Sequence, residues 1–320
     1  MGSMKRWSQR FQADLVALVV VSIWGTGFAF QKVALEQFNV LTFMGLRYLT
    51  MLALSWGVLL WRRWRTGEPI GVKRTDLPGL ALAGVLGYTL YIPLSTLGLS
   101  YTTAFSNALL IATAPLYAAV LLRFLRMEVL GSGQYAGMLV ALIGVIVFVL
   151  PALRLGTGQS IAGDLVSLIA ALFFAAYSVA SKPLLPRYPL PVMMAYTLTI
   201  GTVPVVLSVL PWMFGQPWNA ITPGGWVAFA WTVILPVYVA WTLWNWTIGR
   251  MGVARASVFM YLVPVIGGVA SWILLGEGFG LPKIAGAALV LAGLAVARRS
   301  TPPQPVTLPR RLVPRSMTEQ

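Results

Sequence analysis

The chain has no cysteine and no histidine. That removes thiol nucleophiles, disulfides, thiolate or imidazole metal sites and histidine general bases. Acidic residues are scarce as well. The eight are Asp14, Glu36, Glu68, Asp76, Glu128, Asp164, Glu277 and Glu319, and all sit in loops, in tails or at the ends of apolar runs. No P-loop, HExxH or dinucleotide fingerprint is present. An enzyme that must activate water or a nucleophile would have little to work with, and no metal or cofactor is expected. Charged residues make up 10% of the chain, against about 25% in soluble domains, which excludes an ordinary soluble fold.

What is there instead is apolar length. Hydrophobic residues reach 58%, with a mean hydropathy of +0.80. Ten apolar runs approach the ~20 residues needed to cross a hydrocarbon core: about 13–35, 40–61, 77–97, 103–122, 130–150, 163–182, 191–213, 224–246, 252–275 and 280–297. The fold class expected is therefore all-α, a polytopic membrane protein with ten transmembrane helices and no soluble domain. The first run has no small-residue cleavage site and reads as a span, not a signal peptide. Residues 1–12 read as a cytoplasmic N-terminal segment, with Gly2-Ser3 before Met4 as an expression scar. Residues 299–320, proline-rich and poor in apolar residues, read as a disordered cytoplasmic tail.

The net charge of +15 invites a nucleic-acid reading, and its distribution argues against one. With ten spans and both termini inside, Arg47 lies within a span and only Lys32, Arg154 and Lys283 reach the far surface. That leaves 19 of the 23 Lys and Arg on the cytoplasmic side. This asymmetry is the positive-inside signal. The partner expected is a lipid bilayer, not a nucleic acid, and the location a bacterial inner membrane with both termini cytoplasmic.

The sequence also repeats itself. "ADLVAL" at 13–18 returns as "GDLVSL" at 163–168. At an offset of 150, Lys32 meets Lys182, Tyr88 meets Tyr238 and Tyr91 meets Trp241. At 149, Pro115 meets Pro264, Glu128 meets Glu277 and Gly144 meets Gly293; ten of the 33 positions in 115–147 match their mates. The halves, 13–150 and 163–298, hold five spans each. Five is odd, so the second half must enter from the opposite side as an inverted repeat. Such halves exchange inward- and outward-open shapes around a shared site, although a duplicated channel or scaffold would also fit.

"SIWGTGFAFQK", "FMGLRYLTMLAL", "APLYAAVLLRFLRMEVLGSGQYAGMLVALIGVIV" and "VPVIGGVASWILLGEGFGLPKIAGAALVLAGLAV" resemble the two repeat units of ten-helix transporters in the drug/metabolite transporter superfamily. Within it the chain looks most like the bacterial aromatic-amino-acid exporters. The resemblance covers residues 10–298 and is specific in the Pro…Glu…Gly…Gly segment of each half. The first half departs slightly, with Arg-Met-Glu in place of Leu-Gly-Glu. It implies a cavity lined by the first four helices of each half, with the fifth and tenth packed outside.

Helical spacing singles out candidate cavity residues. In the first span the stripe is Trp24, Phe28 and Gln31, with mates Phe174, Ser178 and Ser181. In the third it is Tyr88, Tyr91 and Ser95, and in the eighth Tyr238, Trp241 and Asn245. Polar groups at bilayer depth need partners or water, so these stripes should face inward; ordinary interhelical packing would place them there too. Pro115 and Pro264 interrupt the fourth and ninth spans and free a carbonyl four residues earlier, which suits a hinge. Asn107 precedes the first proline, and Ser257 and Tyr261 the second. Substrate contacts are expected from Trp24, Tyr88, Tyr91, Ser95, Asn107, Tyr238, Trp241, Asn245 and Tyr261.

Arg47 is the one charge well inside a span, at a cost of about 2.5–3.5 kcal/mol on insertion scales. It could meet a substrate carboxylate. It also matches the family's Leu-Arg-Tyr pattern, which favours a structural role. Gly137, Gly144, Gly286 and Gly293 lie seven apart on one face of the fifth and tenth helices, which suits close packing and also admits a homodimer contact.

The function expected is secondary transport: export of a small-molecule substrate, aromatic amino acids first, by alternating access. Other amino acids or amphipathic drugs are the alternative cargo, and a receptor or intramembrane enzyme the alternative class. With no acid or histidine near a midplane, movement should follow the substrate's own gradient.

Overall fold

The computed structural model describes residues 2–125, 131–154, 158–253, 256 and 258–299. Glu128, Ser257 and the tail from Ser300 lie outside the described residues. Every described element is helical. Seven helices are long and apolar enough to cross a membrane: Phe11–Leu35, Val40–Thr66, Arg74–Tyr101, Ala104–Phe124, Ser160–Ser181, Leu190–Met213 and Pro223–Met251. Three shorter apolar helices, Tyr135–Phe148, Leu262–Leu275 and Leu281–Gly293, complete the ten spans. In chain order the short ones are spans 5, 9 and 10.

Contacts between loops establish that the spans alternate in direction. At the face where span 1 begins, the N-terminal face, Asp76 before span 3 pairs with Arg187 before span 7 at 2.5 Å. At the opposite face, Gln37 after span 1 accepts from Thr222 before span 8 at 2.9 Å. Thr102 after span 3 donates to Asp164 at the start of span 6 at 2.7 Å. Asp164 is the repeat mate of Asp14, which belongs to the opposite end of the bundle. The second half therefore enters from the other side.

Spans 5 and 10 pack on each other at the edge of the bundle. A Cβ on Gly293 would lie 2.4 Å from the Ala141 nitrogen, and one on Gly286 would lie 2.6 Å from the Phe148 nitrogen. Glycine lets the two backbones meet where no side chain would fit. The glycine face is thus consumed within one chain. A homodimer through these helices would have to use their outer faces, where Leu139, Leu142 and Ile146 are exposed.

Four spans are not plain α-helices. Span 3 is π-helical over Val85–Tyr91 and span 8 over Val233–Val239. Span 4 breaks between Ile111 and Ala114, and a 3-10 turn, Val258–Tyr261, precedes the helix of span 9. Each irregularity has a proline within or just beyond it: Pro93, Pro236, Pro115 and Pro264. Proline offers no N–H to the α ladder, and a π turn is one way to absorb the loss.

Candidate functional site

All four irregularities converge on one chamber in the middle of the bundle. Span 1 contributes Trp24, Phe28 and Gln31, aligned at i, i+4 and i+7. Span 2 contributes Arg47, and span 3 contributes Tyr91, Ser95 and Thr96. Pro236, Val237 and Trp241 come from span 8; Ile111 comes from the break in span 4, and Met260 and Val263 from the start of span 9. Gly27 lets span 8 approach span 1, since a Cβ there would sit 2.7 Å from Pro236 Cγ. The Trp24 indole N–H donates to the Pro236 carbonyl at 2.8 Å and ties the two walls together.

The free volume is about 40 Å3. That is well below the ~300–1,000 Å3 of a small-molecule pocket. An amino-acid cargo would require the spans to separate.

Three polar side chains from three spans meet at one end. Arg47 Nη1 donates to Gln31 Oε1 at 3.2 Å and to Thr96 Oγ1 at 3.3 Å. Gln31 Nε2 donates to Thr96 Oγ1 at 3.1 Å, while the Thr96 hydroxyl donates to the Ile92 carbonyl at 2.9 Å. Arg47 Nε is buried with no hydrogen-bond partner. The Phe43 ring lies against the guanidinium, 5.6 Å from its carbon to the ring centroid. Among the described residues no carboxylate forms an ion pair with Arg47.

Of the residues picked out by spacing, the structure brings Trp24, Tyr91, Ser95 and Trp241 together in the chamber. Tyr88 lies behind the wall, stacked on Trp241 with centroids 5.0 Å apart; its carbonyl accepts the Tyr48 hydroxyl. Tyr238 is absent from the wall, and Pro236 and Val237 stand there in its place. Each π turn takes one residue more than an α turn, so a face extrapolated at 3.6 residues per turn slips past it. Asn107 is fully buried, donating to the Ser95 carbonyl at 3.1 Å and to Ser167 Oγ at 2.9 Å; it joins spans 3, 4 and 6. Asn245 donates to the Tyr177 hydroxyl at 2.7 Å. Pro115 and Pro264 stand just after the breaks at the level of Ile111 and Met260. The Tyr261 side chain lies outside the described residues.

Toward the N-terminal face the chamber is closed by a plug of rings. Tyr177 is its hub, accepting the Trp241 indole N–H at 2.6 Å and packing on Tyr88 at 6.0 Å and Trp241 at 4.9 Å. Phe174 and Trp244 extend it under Trp24, 5.5 and 5.3 Å from that ring. Below the plug, the Asp76–Arg187 pair and a 2.6 Å bond from the Tyr188 hydroxyl to Asp76 join the two halves. Burial, and then donation to the Asp76 carboxylate, raises the Tyr188 phenol above its ordinary range, so it stays a donor. Toward the opposite face lies a vestibule of about 550 Å3, which includes Lys32 and Leu97 in its lining. Their chain neighbours Gln31 and Thr96 line the chamber, so the two spaces share a thin wall. Beside it, Glu277 accepts the backbone N–H groups of Ala104 and Phe105 at 2.9 and 3.2 Å, tying half two to the start of span 4.

Spacing missed Thr96 and Tyr177 as well as Pro236. The usable signal was a proline in or beside the middle of spans 3 and 8, which marks a register change.

The EamA-like transporter family matches residues 11–150 and again 161–299. A protein named "Probable terminal-alkyne amino-acid exporter" from Streptantibioticus cattleyicolor is 30% identical over 290 residues, 89% of this chain and 92% of that one. A "Probable amino-acid metabolite efflux pump" from Salmonella typhimurium is 27% identical over 296 residues, 88% of this chain and 93% of that one. A solved crystal structure with 22% identity aligns at a TM-score of 0.62 over 90% of this chain and 97% of its own, a likeness of fold.

Proposed function

This chain belongs to the EamA-like transporter family, and from that premise we propose that it exports amino acids, aromatic ones above all, by alternating access around the central chamber. One observation carries the reading. Trp24, Tyr91 and Trp241 wall the same small space that Ser95, Gln31, Thr96 and Arg47 enter. A mostly apolar pocket with a few placed polar groups is how small-molecule sites are built. The relatives named for amino-acid export or efflux support the cargo class. In this arrangement the plug closes the N-terminal face and the chamber lies toward the other. Pro115 and Pro264, at breaks level with the chamber, are the hinges. The positive-inside distribution of basic residues supports an N-terminal face in the cytoplasm of a bacterial inner membrane.

Ring–ring contacts contribute about 0.5–1.5 kcal/mol beyond area burial. That is enough to prefer Phe or Trp over Leu without holding either tightly, which suits a carrier that must release its cargo. The test is efflux of labelled amino acids from liposomes. Phe and Trp should leave faster than Leu or Thr, and Tyr91→Ala or Trp241→Ala should slow them several-fold while the protein still inserts. Wild type moving Thr or Leu but neither aromatic would refute the cargo. Unchanged Phe efflux in both variants would put the aromatic wall in the wrong place.

A further inference from the structure

The charge balance of the chamber is lopsided. Arg47 is 6% exposed, seven residues into span 2, and it lines the cavity. Its hydrogen bonds among the described residues leave from Nη1 alone and go to two neutral acceptors at 3.2 and 3.3 Å, while Nε is buried without a partner. Four acids are engaged elsewhere, and Glu36 lines the vestibule beyond the chamber wall. Glu68 pairs with Arg62, Asp76 with Arg187, Asp164 accepts from Thr102, and Glu277 caps Ala104 and Phe105. Among the described residues no acid lines the chamber. A buried guanidinium is normally paired, and its planar fork fits a carboxylate through two parallel N–H bonds.

We propose that Arg47, positioned by Gln31 and Thr96, is the receptor for a substrate carboxylate, and that the carrier selects cargo by this group and not by the ammonium. The proposal rests on the reading of the chamber as the transport site. The empty Nε–H and the one-sided charge are then the unliganded form of a carboxylate site. An α-ammonium would meet ring faces, the Ser95 hydroxyl and the Gln31 and Thr96 oxygens that already accept from Arg47, all neutral groups that tolerate a cation but do not demand one. The ligand class is therefore the aromatic monocarboxylates, with aromatic amino acids as zwitterionic members. Cationic aromatic amines, which would add a second positive charge beside Arg47, are excluded.

Three probes with closely similar frames separate the groups: L-phenylalanine, 3-phenylpropanoate without the ammonium, and phenethylamine without the carboxylate. Thermal unfolding of the purified carrier reads binding independently of flux. Phenylalanine and 3-phenylpropanoate should both raise the wild-type Tm, and phenethylamine should not. Arg47→Gln, which keeps hydrogen bonding to Gln31 and Thr96 without the charge, should lose the shift. Arg47→Lys should retain it with affinity reduced about ten-fold, as expected when the fork is replaced by a point charge. A phenethylamine shift equal to that of 3-phenylpropanoate, or no shift with any probe, would overturn the proposal. So would an Arg47→Gln protein that still responds to 3-phenylpropanoate. The wild-type probe pattern decides the matter even if a variant fails to fold. A 3-phenylpropanoate shift without phenylalanine efflux would uphold the carboxylate site and remove the amino-acid cargo.

Discussion

Gln31, Arg47 and Ser95 of the first half have Ser181, Thr197 and Asn245 as repeat mates in the second. The first three keep 7, 6 and 8% of their surface beside free space, and the second three keep none. Around the first set lies the chamber; around the second lie Tyr88, Tyr177, Trp241 and Trp244. Two stretches descended from one ancestor thus make a hollow near one face and a plug near the other. An inverted repeat that alternates must show this asymmetry in any single arrangement, because only one side opens at a time. The chemistry differs as well as the shape. Thr197 spends its hydroxyl on the Met193 carbonyl at 2.8 Å, where Arg47 leaves donors unused. If the halves exchange shapes, the charge stays on one side.

The asymmetry between the halves is most easily broken where the plug meets backbone. Gly201 in span 7 faces the π segment of span 3: a Cβ there would lie 2.4 Å from the Gly84 carbonyl oxygen and 2.5 Å from Tyr88 Cβ. Neither can rotate away. Gly201→Ala should destabilise by about 3 kcal/mol, the upper part of the overpacking range, and abolish transport. Gly57→Ala, with nothing within 4 Å of its Cβ, should do neither. Matching Tm values for the two variants would mean that the plug is loosely seated.

Much of this architecture was legible in the sequence, and the part that was not has a physical cause. Apolar length and the 150-residue offset revealed the spans and their inversion, because burial in lipid leaves a signal along the whole chain. Trp24 and Trp241 were legible as aromatic members of helical stripes. Thr96 was not, and Tyr88 and Tyr238 were placed on the wall, because the stripes were drawn through segments that are π-helical. Arg47 stood out as a buried charge. What the sequence could not supply was its surroundings among the described residues: two neutral partners from other spans and no paired acid, a fact of three-dimensional packing.

A smaller effect should come from the hub of the plug. Tyr177→Phe keeps the ring and removes the hydroxyl that accepts from Trp241 and Asn245. Asn245 still donates to the Trp241 carbonyl at 3.0 Å, but its Oδ1 loses the Tyr177 hydroxyl as donor and the Trp241 indole N–H is orphaned, together costing about 2 kcal/mol. The cost falls on the closed plug, so its opening should become more frequent. Ser181, fully buried at the N-terminal end of the plug, can report this as a lone cysteine in a chain that has none. Its reaction with a thiol reagent should speed up several-fold in the Tyr177→Phe background. An unchanged rate would show that the plug does not govern access from that face.

The smallest effect should come from the tie below the plug. Asp76 pairs with Arg187 and accepts from Tyr188, but the Arg187 side chain is 43% exposed, so water and salt screen the pair. Exposed pairs contribute about 0.2–1 kcal/mol. Asp76→Asn also keeps an acceptor for the Tyr188 hydroxyl. Its effect on the cysteine at Ser181 should therefore be about two-fold at low salt and smaller at high salt. With the N-terminal face in the cytoplasm as proposed, an impermeant reagent should produce it in inverted vesicles and not in intact cells. Labelling confined to intact cells would reverse the orientation. An Asp76→Asn effect exceeding that of Tyr177→Phe would mean that the surface tie, and not the ring plug, holds the N-terminal face shut.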